Sequence, residues 1–139
     1  MKFQPGKYYV GDLCYVLNDR WDEFCSLTIS GRRVLDGTFA FKDGTTFWTH
    51  CTMYGDGSYY DQQRREYGVD AGLIGVVAID DIDENPNCID GGQVIEFKHA
   101  FEPYYQNGTF YIGNITIKTG DNASDYYSNE DEDGWGNDD

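Results

Sequence analysis

The stretch TFAFKDGTTFWTH, residues 38–50, carries the clearest signal for the fold. Two short runs of aromatic and β-branched residues lie on either side of Asp43-Gly44. Such runs favour strands, and an Asp-Gly link between two of them is a strong hairpin signal. The stretch therefore predicts a pair of antiparallel strands joined by a two-residue tight turn.

Runs of the same character recur on both sides of this hairpin. They are GKYYV at 6–10, LIGVVAID at 73–80, QVIEF at 93–97, and FYIGNITIK at 110–118, which continues across a glycine. The composition agrees, since 17% of the chain is aromatic and 17 glycines supply turns. Large rings suit pleated sheets, and frequent turns break them into short strands. We predict a mainly β fold: an antiparallel sheet, a sandwich or a small barrel.

One short helix is predicted near residues 19–29. Three apolar residues there follow the i, i+3, i+4 spacing of a helix face. They are Trp21, Phe24 and Cys25. Asn18 or Asp19 is placed to cap the first turn, and Gly31 follows as a C-terminal stop.

The stretch YGDGSYYDQQRREYGVDAG, residues 54–72, is dense in charges and turn formers and reads as one long loop. Its acids, with one acid from a similar Gly-Asp turn near the N-terminus, form an alternative catalytic or ligand site. These residues are Asp12, Asp56, Asp61 and Asp70. Converging carboxylates hold divalent cations or act as an acid/base pair, and Arg64 or Arg65 would orient an anionic substrate. The competing interpretation is that Asp and Gly occur here because they form turns.

The charge is the most unusual global feature. The formal net charge is −15. The last 20 residues hold six Asp and two Glu with no Lys or Arg, or −8, whereas residues 1–119 hold 17 acids against 10 bases, or −7. We therefore divide the chain into a compact β-rich domain, 1–119, and an acidic tail, 120–139. Such a surface repels nucleic acid and anionic membranes and attracts basic proteins.

The composition of the tail favours disorder, but aromatic residues are interleaved with its acids, which is not typical of a solubilising segment. We predict that these residues bind a partner: Tyr126, Tyr127, Glu130, Asp131, Glu132, Asp133 and Trp135. The tail also matches the first half of a calcium-binding loop, but the twelfth position falls one residue past Asp139. We therefore expect no metal site there.

The remaining chemistry-bearing residues predict neither a cofactor nor a metal. The four cysteines, Cys14, Cys25, Cys51 and Cys88, contain no CxxC pair. His50 and Cys51 are neighbours in a predicted strand, where side chains point to opposite faces and cannot readily pair. No apolar run reaches the roughly 20 residues that span a bilayer, and no signal peptide is evident. We expect a cytoplasmic protein.

Two segments resemble a known family. They are YYVGDLCYVL, residues 8–17, and YGDGSYYD followed by YGVDAGLIG, residues 54–75. The chain from about residue 7 to 119 resembles small proteins of unknown function from bacteria and their phages, with a YxxGDxCYV opening and a GDGxY…YGVDAGxIG centre. The resemblance implies a phage context, in which small acidic proteins often inhibit host machinery.

The leading functional hypothesis is a non-catalytic acidic binding or inhibitor protein. It would engage a basic protein, such as a nucleic-acid-binding protein or defence complex of the host, partly by mimicking nucleic-acid charge. It would bind no nucleic acid directly and no membrane, and would act in the host cytoplasm if a phage encodes it. The alternative is a small ligand-binding or hydrolytic domain with its carboxylate-rich site in residues 54–72. A structural virion component is a third hypothesis.

Overall fold

The computed structural model describes residues 2–31, 33–82 and 91–120, and within these ranges the chain is mainly β. The predicted class, antiparallel sheets with one α-helix, is confirmed. The strands are β1 Gly6–Gly11, β2 Ile29–Ser30, β3 Arg33–Val34, β4 Gly37–Ala40, β5 Thr46–Cys51, β6 Gly57–Tyr60, β7 Glu66–Val69, β8 Leu73–Ala78, β9 Gln93–Phe97, β10 Tyr104–Gln106, β11 Thr109–Ile112 and β12 Ile115–Lys118. The helix α1 is Trp21–Thr28, and short 3-10 helices cover Leu13–Tyr15, Asn18–Arg20 and Ile79–Asp81.

A five-stranded antiparallel sheet in the order β4-β5-β8-β1-β9 organises the molecule. The predicted hairpin is its first pair, β4 and β5, with Ala40 opposite Thr46. The connection is not the predicted two-residue turn. Phe41 N–H donates to the Thr45 carbonyl, which leaves Lys42, Asp43 and Gly44 as a three-residue loop. Gly44 has φ +95°, the left-handed conformation that closes such loops.

Strand β8 lies at the centre of this sheet, between β5 and β1. Its first five residues, Leu73 to Val77, are all buried. A continuous apolar strand is typical of a sheet covered on both faces, because neither side of the strand then meets water. The sheet accordingly separates two cores, one on each face.

Helix α1 covers one face of the sheet. Phe24 stacks on Phe47 of β5 with 5.1 Å between ring centroids, and Trp21 stacks on Phe24 at 4.4 Å. The predicted helix is thus present, but its cap differs. Arg20 occupies the N-cap without a side-chain bond, because Asn18 and Asp19 belong to the preceding 3-10 turn. Gly31 follows β2 rather than ending the helix.

The opposite face is covered by a three-stranded sheet, β10-β11-β12, and by a β6-β7 hairpin. Residues 54–72 are therefore not one long loop. Tyr59, Tyr67 and Val69 are buried, and their alternation with exposed residues forms two strands around a turn at 61–65. FYIGNITIK is likewise a hairpin rather than a continuous strand, since Ile112 pairs with Ile115 across Gly113-Asn114. Among the described residues no helix is long and apolar enough to cross a membrane.

Candidate functional site

Asp12, one of the four predicted site carboxylates, is completely buried at the end of β1. Its Oδ2 accepts bonds from the backbone N–H groups of Asp70, at 2.7 Å, and Ala71, at 2.5 Å. Its Oδ1 accepts from Cys14 N–H at 3.0 Å. Three backbone donors thus surround this carboxylate, so Asp12 joins the end of β1 to the β7-β8 connection. It is committed to the fold rather than to a ligand.

Asp61 is also completely buried, but it belongs to a separate network at the β6-β7 turn. Its carboxylate accepts from the backbone N–H groups of Gln63 and Arg65, at 2.8 and 3.0 Å. Arg65 Nε and the Tyr67 hydroxyl donate to Oδ2 at 2.7 and 2.8 Å. Burial, and then this contact with Asp61, raises the pKa of Tyr67, which stays a neutral donor. Arg65 is therefore paired inside the fold, while Arg64 is exposed.

Asp56 and Asp70 are exposed. Asp70 reaches the Asp12 carboxylate through its backbone, not through its own carboxylate. In the part of the chain that the structure describes, no three His, Cys, Asp or Glu side chains are placed to hold a metal ion. The four predicted carboxylates therefore divide into two buried structural groups and two exposed ones, rather than forming one acid/base pair.

His50 bonds to the backbone of Cys51 and not to its thiol. The ring Nδ1 lies 2.8 Å from the Cys51 carbonyl oxygen, and Nε2 lies 3.5 Å from Asp36 Oδ2. The ring also stacks on Tyr105 with 3.8 Å between centroids, which ties β5 to β10. Burial, with a smaller effect of Asp36, raises the pKa of the Cys51 thiol. The arrangement holds two sheets together and leaves Cys51 a poor nucleophile.

Cys14 is similarly unreactive. Burial, followed by its hydrogen bond to Asp12, raises the pKa of this thiol to about 12. Cys14, Cys25 and Cys51 are free thiols, and Cys88 lies outside the described residues. The raised pKa values of Cys14 and Cys51 make both thiols poor nucleophiles at neutral pH.

A concave surface lies between the segment after β9 and the three-stranded sheet. We call it the aromatic cleft; it has a volume of about 740 Å³. Its lining residues are Glu96, Phe97, Lys98, His99, Ala100, Phe101, Glu102, Tyr104, Tyr111, Gly113 and Asn114. Sequence reasoning missed it. The one available signal is the aromatic density of HAFEPYYQ, residues 99–106, which begins at His99.

A smaller cavity of about 320 Å³ lies beside the N-terminus of α1, and its charged lining residues are three Asp and one Arg. We call it the acidic mouth; its lining residues are Val16, Leu17, Asp19, Arg20, Asp43, Asp81 and Ile82. Arg20 is held in place, because its guanidinium lies 3.9 Å from the Phe41 ring centroid and 3.1 Å from Asp43 Oδ2. Asp19 and Asp81 are exposed. The mouth therefore presents net negative charge to solvent.

The predicted partner-binding residues of the tail, Tyr126 to Trp135, lie outside the described residues. So do Arg32 and residues 83–90. No family model, no curated protein and no solved structure matches this chain. The resemblance carried by residues 8–17 and 54–75 therefore stays a prediction.

Proposed function

We propose that the protein is a non-catalytic binding protein whose acidic surface engages a basic surface of a partner protein. The observation that carries the proposal is that the carboxylates of the protein fall into a buried and an exposed group. The two buried ones, Asp12 and Asp61, serve the fold, while exposed ones remain as uncompensated surface charge. The net charge of −15 is therefore available for long-range attraction of a cationic partner.

The partner class follows from charge. A groove that binds nucleic acid is lined with Lys and Arg spaced for phosphates, and carboxylates can take the place of those phosphates. A host nucleic-acid-binding protein or defence complex, inhibited by a phage-encoded acidic protein, fits this description. The tail residues Tyr126, Tyr127 and Trp135 would supply desolvated anchors, and Glu130 to Asp133 the charge. Affinity should then depend on salt through the number of ion contacts formed.

The experiment is capture of host proteins by the full-length chain and by a truncation ending at Thr119, at low and at physiological salt. We expect a basic protein to be captured, with weaker capture after truncation and at higher salt. Asp81→Asn in the acidic mouth should weaken capture further. Asp56→Asn removes an equal charge from the exposed β5-β6 connection and is the matched control. Capture that is insensitive to salt and to truncation would refute the proposal.

The alternative, a hydrolytic or ligand site in residues 54–72, is supported only by the exposure of Asp56 and Asp70. Asp56→Ala and Asp70→Ala variants separate the two proposals. If both fold and keep the full biological activity of the protein, no carboxylate chemistry resides there. Loss of activity in either folded variant, with partner capture intact, would favour the alternative.

A further inference from the structure

The aromatic cleft has the form of a binding site that is separate from the acidic surface. Its volume of about 740 Å³ lies within the range of pockets that hold small organic ligands. Phe97 and Phe101 form a buried floor, with 4.1 Å between their ring centroids. Gly113 lies against this floor, since a Cβ at this position would be 2.7 Å from the Phe97 ring. The floor is thus held rigidly, as a preformed site requires.

One wall of the cleft is an exposed aromatic surface. Tyr104 and Tyr111 stack with 4.7 Å between their ring centroids and an interplanar angle of 18°. Tyr104 is 53% exposed, although it is one of the largest apolar side chains in the sheet. Stacking on Tyr111 restricts the Tyr104 ring, so less side-chain entropy is lost when a ligand packs on it.

The rim of the cleft offers both donors and acceptors. Lys98 and His99 supply N–H donors, and the Glu96 carboxylate supplies acceptors. Within residues 2–31, 33–82 and 91–120, none of these three side chains forms a hydrogen bond or an ion pair. Their polar groups are therefore available to a ligand without breaking an existing interaction in this part of the chain.

The balance of charge selects the ligand class. Glu96 and Glu102 oppose Lys98, so the cleft is nearly neutral in an otherwise acidic protein. An anionic ligand such as a nucleotide would be repelled by the surrounding charge of −15. A strongly cationic ligand would meet Lys98 and would be drawn to the acidic mouth. A neutral ligand with many hydroxyls uses donors and acceptors together, and its C–H faces fit the negative face of an aromatic ring.

We propose that the aromatic cleft binds a neutral oligosaccharide, with a sugar ring against Tyr104 and its hydroxyls bonded to Glu96, Lys98 and His99. The binding is non-covalent and involves no reaction. The proposal is independent of the basic partner, because it involves neither the acidic mouth nor the tail.

The test is titration of the isotopically labelled full-length protein with three neutral trisaccharides, maltotriose, cellotriose and N,N′,N″-triacetylchitotriose, followed by amide chemical shifts. We expect shifts confined to residues 96–114 with at least one sugar, with dissociation constants on the order of 1 mM or tighter. Tyr104→Ala should weaken binding about five- to tenfold, because the stacking surface is lost. Tyr54→Ala is the matched control, since Tyr54 is also a largely exposed tyrosine, at 62%, and lies outside the cleft.

His99→Ala provides a second variant on an exposed position whose loss does not threaten folding. It should weaken the same sugar by removing one donor. The proposal is overturned if none of the three sugars shifts the cleft resonances at a sugar concentration about ten times the expected dissociation constant of 1 mM. It is also overturned if Tyr104→Ala binds as tightly as Tyr54→Ala, or if AMP or a polylysine peptide shifts residues 96–114 and the sugars do not.

Discussion

At the scale of single residues, the buried carboxylates show that Asp at turns in this sequence can have a structural role. Asp12 and Asp61 each accept bonds from backbone N–H groups in turns, where strand pairing cannot satisfy those groups. An unpaired N–H buried away from water costs about 1–3 kcal/mol, so each carboxylate stabilises several groups at once. Asp12 and Asp61 are of a residue type that often acts in catalysis, but their burial and backbone bonds give them a structural role.

Replacing Asp12 by Ala should lower the free energy of unfolding by at least about 3 kcal/mol, because it leaves the N–H groups of Cys14, Asp70 and Ala71 without their acceptor. Urea unfolding followed by circular dichroism measures this change. Asp56→Ala, at an exposed position, should stay within about 0.5 kcal/mol of the unmodified protein. Equal effects at the two sites would contradict the structural role of Asp12.

At the scale of elements, the short connections were only partly predictable. Asp43-Gly44 located the β4-β5 hairpin, but its length depends on a backbone bond from Phe41 to Thr45 that no dipeptide encodes. In 54–72, turn-forming residues outnumber the apolar ones, so local composition hid the strands that Tyr59 and Tyr67 form. These rings become strand residues only because the five-stranded sheet offers them an apolar face.

Strand β8 packs so closely against its neighbours at Gly75 that a substitution there can be predicted to destabilise the fold. A Cβ added to Gly75 would lie 2.5 Å from the Trp48 carbonyl oxygen and 2.7 Å from the Leu13 side chain. Gly75→Ala should therefore destabilise the protein by about 2 kcal/mol or more, since backbone and a buried side chain would both have to move. Thermal unfolding measures the effect. Gly68→Ala in β7 is the matched control, because its nearest neighbour would be 3.5 Å away, in ordinary contact.

The candidate site was less predictable than the fold. The aromatic cleft depends on the pairing of Tyr104 with Tyr111, which are seven positions apart and meet only because β10 and β11 pair. It also depends on the close packing of Gly113 against Phe97, which joins two separate sheets. Periodicity along the chain predicts which residues lie in strands, but it does not predict which strands meet. Net charge is a sum over residues, so the sequence alone indicated the acidic surface. It did not indicate the aromatic cleft, which forms only where separate strands meet.

At the scale of the whole molecule, one cysteine and two tyrosines with raised pKa values make the free energy of unfolding depend on pH in the alkaline range. Burial raises the pKa of Cys14 from 9.0 to about 12, and it raises the pKa of Tyr9 and Tyr67 above 10.0. In the unfolded chain these groups lose their protons near their ordinary values, whereas the folded protein keeps them protonated. The stability that these protonated groups contribute is thus fully present below about pH 9 and is lost as pH rises toward the folded values.

We expect the urea midpoint to be steady up to about pH 9 and to fall between about pH 9 and 11, most steeply above 10 where the two tyrosines add to Cys14. Equilibrium unfolding at a series of pH values, with salt held constant, measures this. Cys14→Ala removes one titrating group and should make the decline shallower, beginning nearer pH 10. A midpoint that does not change over this range, or the same slope in Cys14→Ala, would contradict the linkage.

The order of strands in the central sheet determines when β1 can find its partners during synthesis. Strand β1 is made before the other strands of this sheet, and both of its neighbours, β8 and β9, come more than sixty residues later. Its backbone N–H and C=O groups lack their strand partners while most of the domain is still being made. Pairing of this kind requires closure of long loops, which slows folding. A nascent chain stopped before Phe97 lacks a flank of the sheet, so stalled synthesis yields an aggregation-prone fragment rather than a smaller folded protein.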